Sequence, residues 1–176
     1  VLGGERREIT VLFSDVRGFT TLAERYRDDP QALTTLMNRF LSVLSHAILD
    51  ERGTIDKFMG DAVMAFWNAP VDLPDHARAA CAAALRMQAD IAALNARRAA
   101  EEGEPRPIDV GIGLNTGDCV VGNMGSDMRF DYTALGDPVN LASRLEGQCA
   151  TYGVKIVLGS ATAEAAQAAG GFALIE

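Results

Sequence analysis

The feature that most constrains this chain is a tight turn between two strand-like runs. Residues 54–58 and Ala62–Trp67 carry β-branched, apolar and aromatic side chains, and only Met59-Gly60-Asp61 separates them. So short a connection joins antiparallel neighbours, because a parallel pair needs a crossover of a dozen residues or more. A second pair reads the same way, with residues 110–114 and 119–123 flanking Asn115-Thr116-Gly117-Asp118. Two hairpins commit the chain to a mostly antiparallel sheet.

Helical patterns lie between these runs. Residues 9–13 form a compact apolar run, read as a buried strand that breaks at Ser14-Asp15-Val16-Arg17-Gly18. In residues 29–49, Leu33, Leu36, Met37, Phe40, Leu44, Ala47 and Ile48 recur on one helical face, and Pro30 suits a first turn. Residues 76–100 predict a second long helix, capped by Asp75, with an Ala-rich side holding Ala80, Ala84, Leu85, Ile91 and Leu94. Residues 103–107 read as a loop and residues 130–135 as an extended run. Asp137-Pro138 opens a helix to about Gln148. A short strand at 155–158 and a helix over Ser160–Ala169 complete the series. Mixed strands and helices with hairpins predict an α+β fold, a mostly antiparallel sheet flanked by helices.

Composition narrows the function. The 176 residues suit one domain, 1–176. Acids outnumber bases 24 to 16, and no Lys/Arg cluster exists, so nucleic acid is not an expected partner. A polyanionic ligand would need metal cations or a few placed basic groups. The cysteines, Cys81, Cys119 and Cys149, are odd in number and far apart, which suggests neither a disulfide framework nor a zinc site. No apolar run approaches the roughly 18–20 residues of a membrane span. The chain opens on Val1 and closes just after the apolar run 172–175, so a domain excised from a longer protein, truncated at its C-terminus, is expected.

Two acids stand where a sheet presents side chains at its end. Asp15 follows the first strand, and Asp61 sits in the hairpin turn. Converging, they would hold a hard cation suited to phosphate chemistry. Each alone could equally satisfy backbone N–H groups of its own turn, and spacing does not show that they meet. Residues 16–20, turning at Gly18, offer backbone N–H groups to phosphate, although no Walker A loop occurs. Gly111-Ile-Gly113 is not a dinucleotide fingerprint, since the third Gly is out of place. His46 reads as structural and His76 as exposed at a helix start. Neither stands in a triad.

The motifs together resemble one family. Phe13-Ser-Asp-Val-Arg-Gly-Phe-Thr20, Asp56-Lys-Phe-Met-Gly-Asp61, Gly111-Ile-Gly-Leu-Asn-Thr-Gly117 and Tyr132-Thr-Ala-Leu-Gly-Asp-Pro-Val-Asn-Leu-Ala-Ser-Arg144 look like the signature blocks of class III nucleotide cyclase catalytic domains, in order and spacing. The resemblance implies a ferredoxin-like fold working as a head-to-tail homodimer, with active sites at the interface. It implies two Mg²⁺ or Mn²⁺ ions, bound by Asp15, Asp61 and the Val16 carbonyl. Phe19 and Thr20 match positions that touch the triphosphate. Lys57 and Thr133 match the purine-selecting pair, Asn140 positions the ribose, and Arg144 stabilises charge on the phosphates. The metal set and the Lys57, Thr133, Asn140, Arg144 set of one site come from different chains.

Elementary chemistry fits these roles. Asn140 and Arg144 are four apart and share a helix face. Lys57 donates, and adenine N1 accepts where guanine N1 donates. The implied activity is therefore an adenylate cyclase converting ATP to cyclic AMP and pyrophosphate. The implied setting is a cytoplasmic domain in a longer protein that carries a sensor or membrane segment. Two departures stand out: the family's later lysine-bearing segment is missing, and Asp118 replaces an Arg found in some relatives.

Overall fold

The structure is a computed structural model that describes residues 3–103 and 105–174. Val1 and the end of the 172–175 run lie outside the described residues. The elements run β1 (Glu5–Val16), α1 (Phe19–Glu24), α2 (Pro30–Asp50), β2 (Thr54–Met59), β3 (Ala62–Trp67), α3 (His76–Glu102), β4 (Val110–Ser126), β5 (Arg129–Leu135), α4 (Asp137–Tyr152), β6 (Ile156–Leu158) and α5 (Ser160–Ala169). The sheet order is β2-β3-β1-β4-β5, antiparallel throughout, and β6 joins β4 in parallel at Ile112–Leu114.

Alternation along β1 assigns its two faces. Leu12 and Val16 point to the side covered by α2 and α3, where they meet Phe40, Leu44, Ile48, Met87, Ile91 and Leu94. Ile9 and Val11 point to the opposite side, with Phe66, Val121, Ala134 and Ala142 of α4. Burying each such large aliphatic or aromatic side chain contributes about 1.5–3 kcal/mol. The two long helices begin differently. The Asp29 carboxylate accepts from the Ala32 N–H at 3.0 Å, whereas Asp75 makes no side-chain cap. Leu85 was expected inward and is exposed, since α3 buries the neighbouring Ala83 and Ala84 instead. By length and composition α2 could cross a membrane, contrary to the sequence expectation. Here it is an amphipathic core helix, with Leu36, Phe40, Leu44, Ala47 and Ile48 buried.

One expected hairpin does not exist. β4 runs unbroken for 17 residues through Asn115-Thr116-Gly117-Asp118, paired with β1 along the way. Those turn-like residues serve tertiary contacts. A Cβ on Gly117 would lie 2.6 Å from the Pro138 ring, and one on Gly113 only 2.2 Å from the Glu146 nitrogen. The missing side chains let α4 rest on the backbone of β4. Asn115 donates to the Pro138 carbonyl at 3.2 Å, and Thr116 joins a hydroxyl chain. The actual hairpin is β4–β5, turning between Ser126 and Arg129.

That hydroxyl chain is buried beneath α3 and α5. Thr10 lies 2.9 Å from Thr116, which lies 2.8 Å from Thr162. Thr10 also meets His76 Nδ1 at 2.7 Å, and His76 Nε2 reaches Glu8 at 3.2 Å. His76 was expected exposed and is buried, because β1 offers these polar partners. The three cysteines are free and buried. Burial pushes the Cys81 and Cys119 thiols up to about 11, as expected of inert packing residues.

Candidate active site

The face of β1 that carries Ile9, Val11 and Phe13 ends in Asp15. Asp61 leaves the β2–β3 turn beside it, after Gly60 at φ 64, a left-handed value that favours glycine. The Asp61 carboxylate accepts from the Val16 N–H at 3.0 Å, which ties the turn to the end of β1. Sequence left open whether the two acids meet, and they do. The two carboxyl groups lie close enough that Asp61 disfavours ionisation of Asp15. Burial, the Asp61 contact and charge, and the Glu146 charge together raise the Asp15 carboxyl to about 7.

Glu146 of α4 is a residue that sequence reading missed. Burial raises its carboxyl too, with Arg17 opposing and Asp61 reinforcing. Ala142, one helical turn before it, rests on β4 at Gly113 as Glu146 does. Among the described residues no group of three His, Cys, Asp or Glu side chains forms a ready metal cluster. Asp15 and Asp61 do fit a hard dication: two carboxylates stand together, and the repulsion that helps raise the Asp15 carboxyl is one such an ion would relieve. Further ligands would have to come from backbone oxygen or substrate phosphate.

Phe19 and Thr20 open α1 immediately after Gly18, which caps it at φ 64. They therefore follow the end of β1 and Asp15 within a few residues.

The other predicted residues form a second cluster. The sheet coils until β2 and β5, at opposite ends of the strand order, meet through side chains. The Thr133 hydroxyl donates to the Asp56 carboxylate. The other Asp56 oxygen lies 3.6 Å from the Lys57 ammonium. Lys57 and Thr133, distant in sequence, are thus bridged by Asp56, a second residue that sequence reading missed. The Phe66 and Tyr132 rings, 6.0 Å apart, brace the same approach of β3 and β5. Asn140 and Arg144 stand apart from both clusters, exposed one turn from each other on α4.

The family model for the adenylate and guanylate cyclase catalytic domain matches residues 3–173. The chain belongs to that family. This cyclase domain is 39% identical over 157 residues to adenylate cyclase 1 of Rhizobium meliloti, covering 89% of the chain and 23% of the relative. Among solved structures it resembles the adenylyl cyclase CyaB from P. aeruginosa, with TM-score 0.85 and 38% identity over 95% of this chain and 84% of that one. It also resembles the guanylyl cyclase Cya2, with TM-score 0.83 and 37% identity over 94% and 81%. The mixed sheet-and-helix architecture of the cyclase domain is that of these structures. The chain spans less than a third of the length of these curated relatives, the adenylate cyclases of Rhizobium meliloti and Anabaena cylindrica. Because an adenylyl and a guanylyl cyclase lie equally near, overall similarity does not choose the base.

Proposed function

We propose that two copies of this domain, arranged head to tail, convert ATP to 3′,5′-cyclic AMP and pyrophosphate. The observation that carries this reading is the convergence of Asp15 and Asp61 at one end of the sheet, where Asp61 accepts from the Val16 N–H and its charge helps raise the Asp15 carboxyl. Two divalent ions held by this pair and the Val16 carbonyl, Mg²⁺ or Mn²⁺, would supply charge neutralisation and a more acidic ribose hydroxyl.

The remaining work falls to the chain's own groups. Phe19 and Thr20, opening α1 beside the pair, hold the triphosphate. From the facing copy, Lys57 donates to adenine N1 and Thr133 accepts from the exocyclic amino group. Asn140 orients the ribose. As the 3′-oxygen bonds to the α-phosphorus, the bond from that phosphorus to the bridging oxygen of pyrophosphate breaks, and the hydroxyl proton leaves to solvent. Arg144 faces the charge that develops on the phosphate oxygens, where a planar fork of donors is well suited. The exposure of Asn140 and Arg144 supports a site completed by a second copy rather than within one chain. ATP as substrate implies a cytoplasmic setting, and the short share of its relatives' length supports an attached sensor or membrane segment.

Purified protein supplied with ATP or GTP and Mn²⁺ or Mg²⁺ tests the reading. Cyclic AMP should form, with ATP preferred. Cyclic GMP as the main product would overturn the substrate assignment, and no cyclic nucleotide under any condition would overturn the activity.

A further inference from the structure

Asp56 occupies an unusual position in β2. Ile55 pairs with Ala65 and Lys57 with Met64, so Asp56 is the extra residue of a β-bulge. Bulges re-aim side chains and gather near functional sites. This one turns a carboxylate inward: the Asp56 side chain has no exposed surface. One oxygen accepts from Thr133. The other has no hydrogen-bond partner, with the Lys57 ammonium at 3.6 Å, just beyond reach. A buried carboxylate left half satisfied is costly, and a fold that only needed β2 to pair would not retain it.

A threonine hydroxyl is ambidextrous. It has one proton to donate and lone pairs to accept with, and it rotates to suit its neighbour. Left free, Thr133 could accept from the adenine amino group or donate to guanine O6, and so would not distinguish them. A carboxylate facing an ammonium only accepts. By taking the single hydroxyl proton, Asp56 leaves Thr133 nothing but lone pairs.

We propose that Asp56 is a positioning residue for base selection, which fixes Thr133 as an acceptor and thereby makes the pocket choose adenine. The inference rests on the adenylate cyclase reading and names a determinant within its substrate site. Lys57 and Thr133 then present donor and acceptor side by side, matching adenine N1 and its amino group. Guanine offers the reverse order and meets two mismatches. A site whose polar groups are left unpaired rejects an analogue more strongly than one that merely lacks contact.

Asp56→Asn tests this with almost no change of shape. The Lys57 ammonium draws the amide oxygen toward itself, so the amide nitrogen faces Thr133 and donates. The Thr133 proton then turns outward. The ATP-over-GTP ratio of kcat/KM should fall by about tenfold or more, the size of one hydrogen bond's polarity. In a Thr133→Val background the same substitution should leave the ratio unchanged. The triphosphate of purine riboside, which lacks the amino group, should be turned over equally by the parent and Asp56→Asn. A ratio preserved in Asp56→Asn, or equal losses on ATP and the purine riboside nucleotide, would overturn the inference. Should the parent turn over neither nucleotide, the activity reading fails on its own. The ratio is then read as displacement of a fluorescent ribose-labelled ATP by ATP and GTP, and an unchanged ratio there also overturns the role of Asp56.

Discussion

The polar groups beneath α3 and α5 and those of the candidate site are built on opposite rules. Beneath α3 and α5, Thr10, His76, Thr116 and Thr162 each find a partner within the chain. At the end of β1, burial and the neighbouring Asp61 raise the Asp15 carboxyl to about 7, and on β2 one Asp56 oxygen has no hydrogen-bond partner. A satisfied network is complete in the free protein and specifies how its elements dock. A frustrated one has its missing partners elsewhere, and in the proposed function those partners are cationic or nucleotide groups. The contrast separates residues that make the fold from residues that the fold holds at a cost.

The largest effect that could break this comparison is loss of activity. Asp61→Ala and Lys57→Ala should each lower cyclase turnover by about 10²–10³-fold or more, while the protein stays folded. Mixed together, the two variants rebuild one intact site per mixed dimer, so roughly a quarter of parental activity should return if subunits exchange freely. No recovery, despite demonstrated exchange, would show that each chain carries a whole site.

On the structural side the expected losses are in stability. Gly113→Ala should cost about 1–3 kcal/mol or more in chemical denaturation, because its Cβ would strike backbone atoms of α4 and not a flexible side chain. Thr162→Val should cost about 1 kcal/mol and leave the ATP-over-GTP ratio alone. A change in that ratio would mean that the two clusters communicate.

The smallest effect concerns pH. In the absence of metal, folded Asp15 binds its proton more tightly than the unfolded chain does, at about 7 against an ordinary 3.8. The native state therefore carries more bound proton between those values, and stability from this group falls as pH rises through that window. Melting temperature in chelator should decline from pH 5 to pH 8 by more in the parent than in Asp15→Asn. Added Mn²⁺ should restore the parent more at pH 8 than at pH 5. Parallel pH curves for the two proteins would remove Asp15 from the account.

Legibility in the sequence followed how local each signal was. The α2 and α5 boundaries could be read from periodicity and flanking residues, since a helix closes its hydrogen bonds within itself. The β2–β3 hairpin was equally local. β4 was misread because Gly117 and Asn115 have turn chemistry, but their partners, Pro138 of α4 among them, lie some twenty residues away. Asp15, Asp61, Lys57 and Thr133 were legible as motif positions. The resemblance implied their pairing, but the bridge from Lys57 to Thr133 through Asp56 was not legible, because it depends on how far the sheet coils. Asp56 and Glu146 escaped for the same reason: adjacent to recognised residues, they gain meaning only from β5 and β1 across the fold.

The close seat of α4 on β4 has a mechanical consequence. Ala142 and Glu146 touch the strand at Gly113 with backbone atoms, leaving no compressible side-chain layer between them. β4 in turn is laddered to β1 along its whole length from Glu5 to Val16. Arg144 and Asp15 of one chain are therefore mounted on a single solid piece, and sliding one past the other would mean tearing the central ladder. If two copies share a site as proposed, any adjustment of the gap that a nucleotide fills comes from outside that solid, as the displacement of one whole body against another.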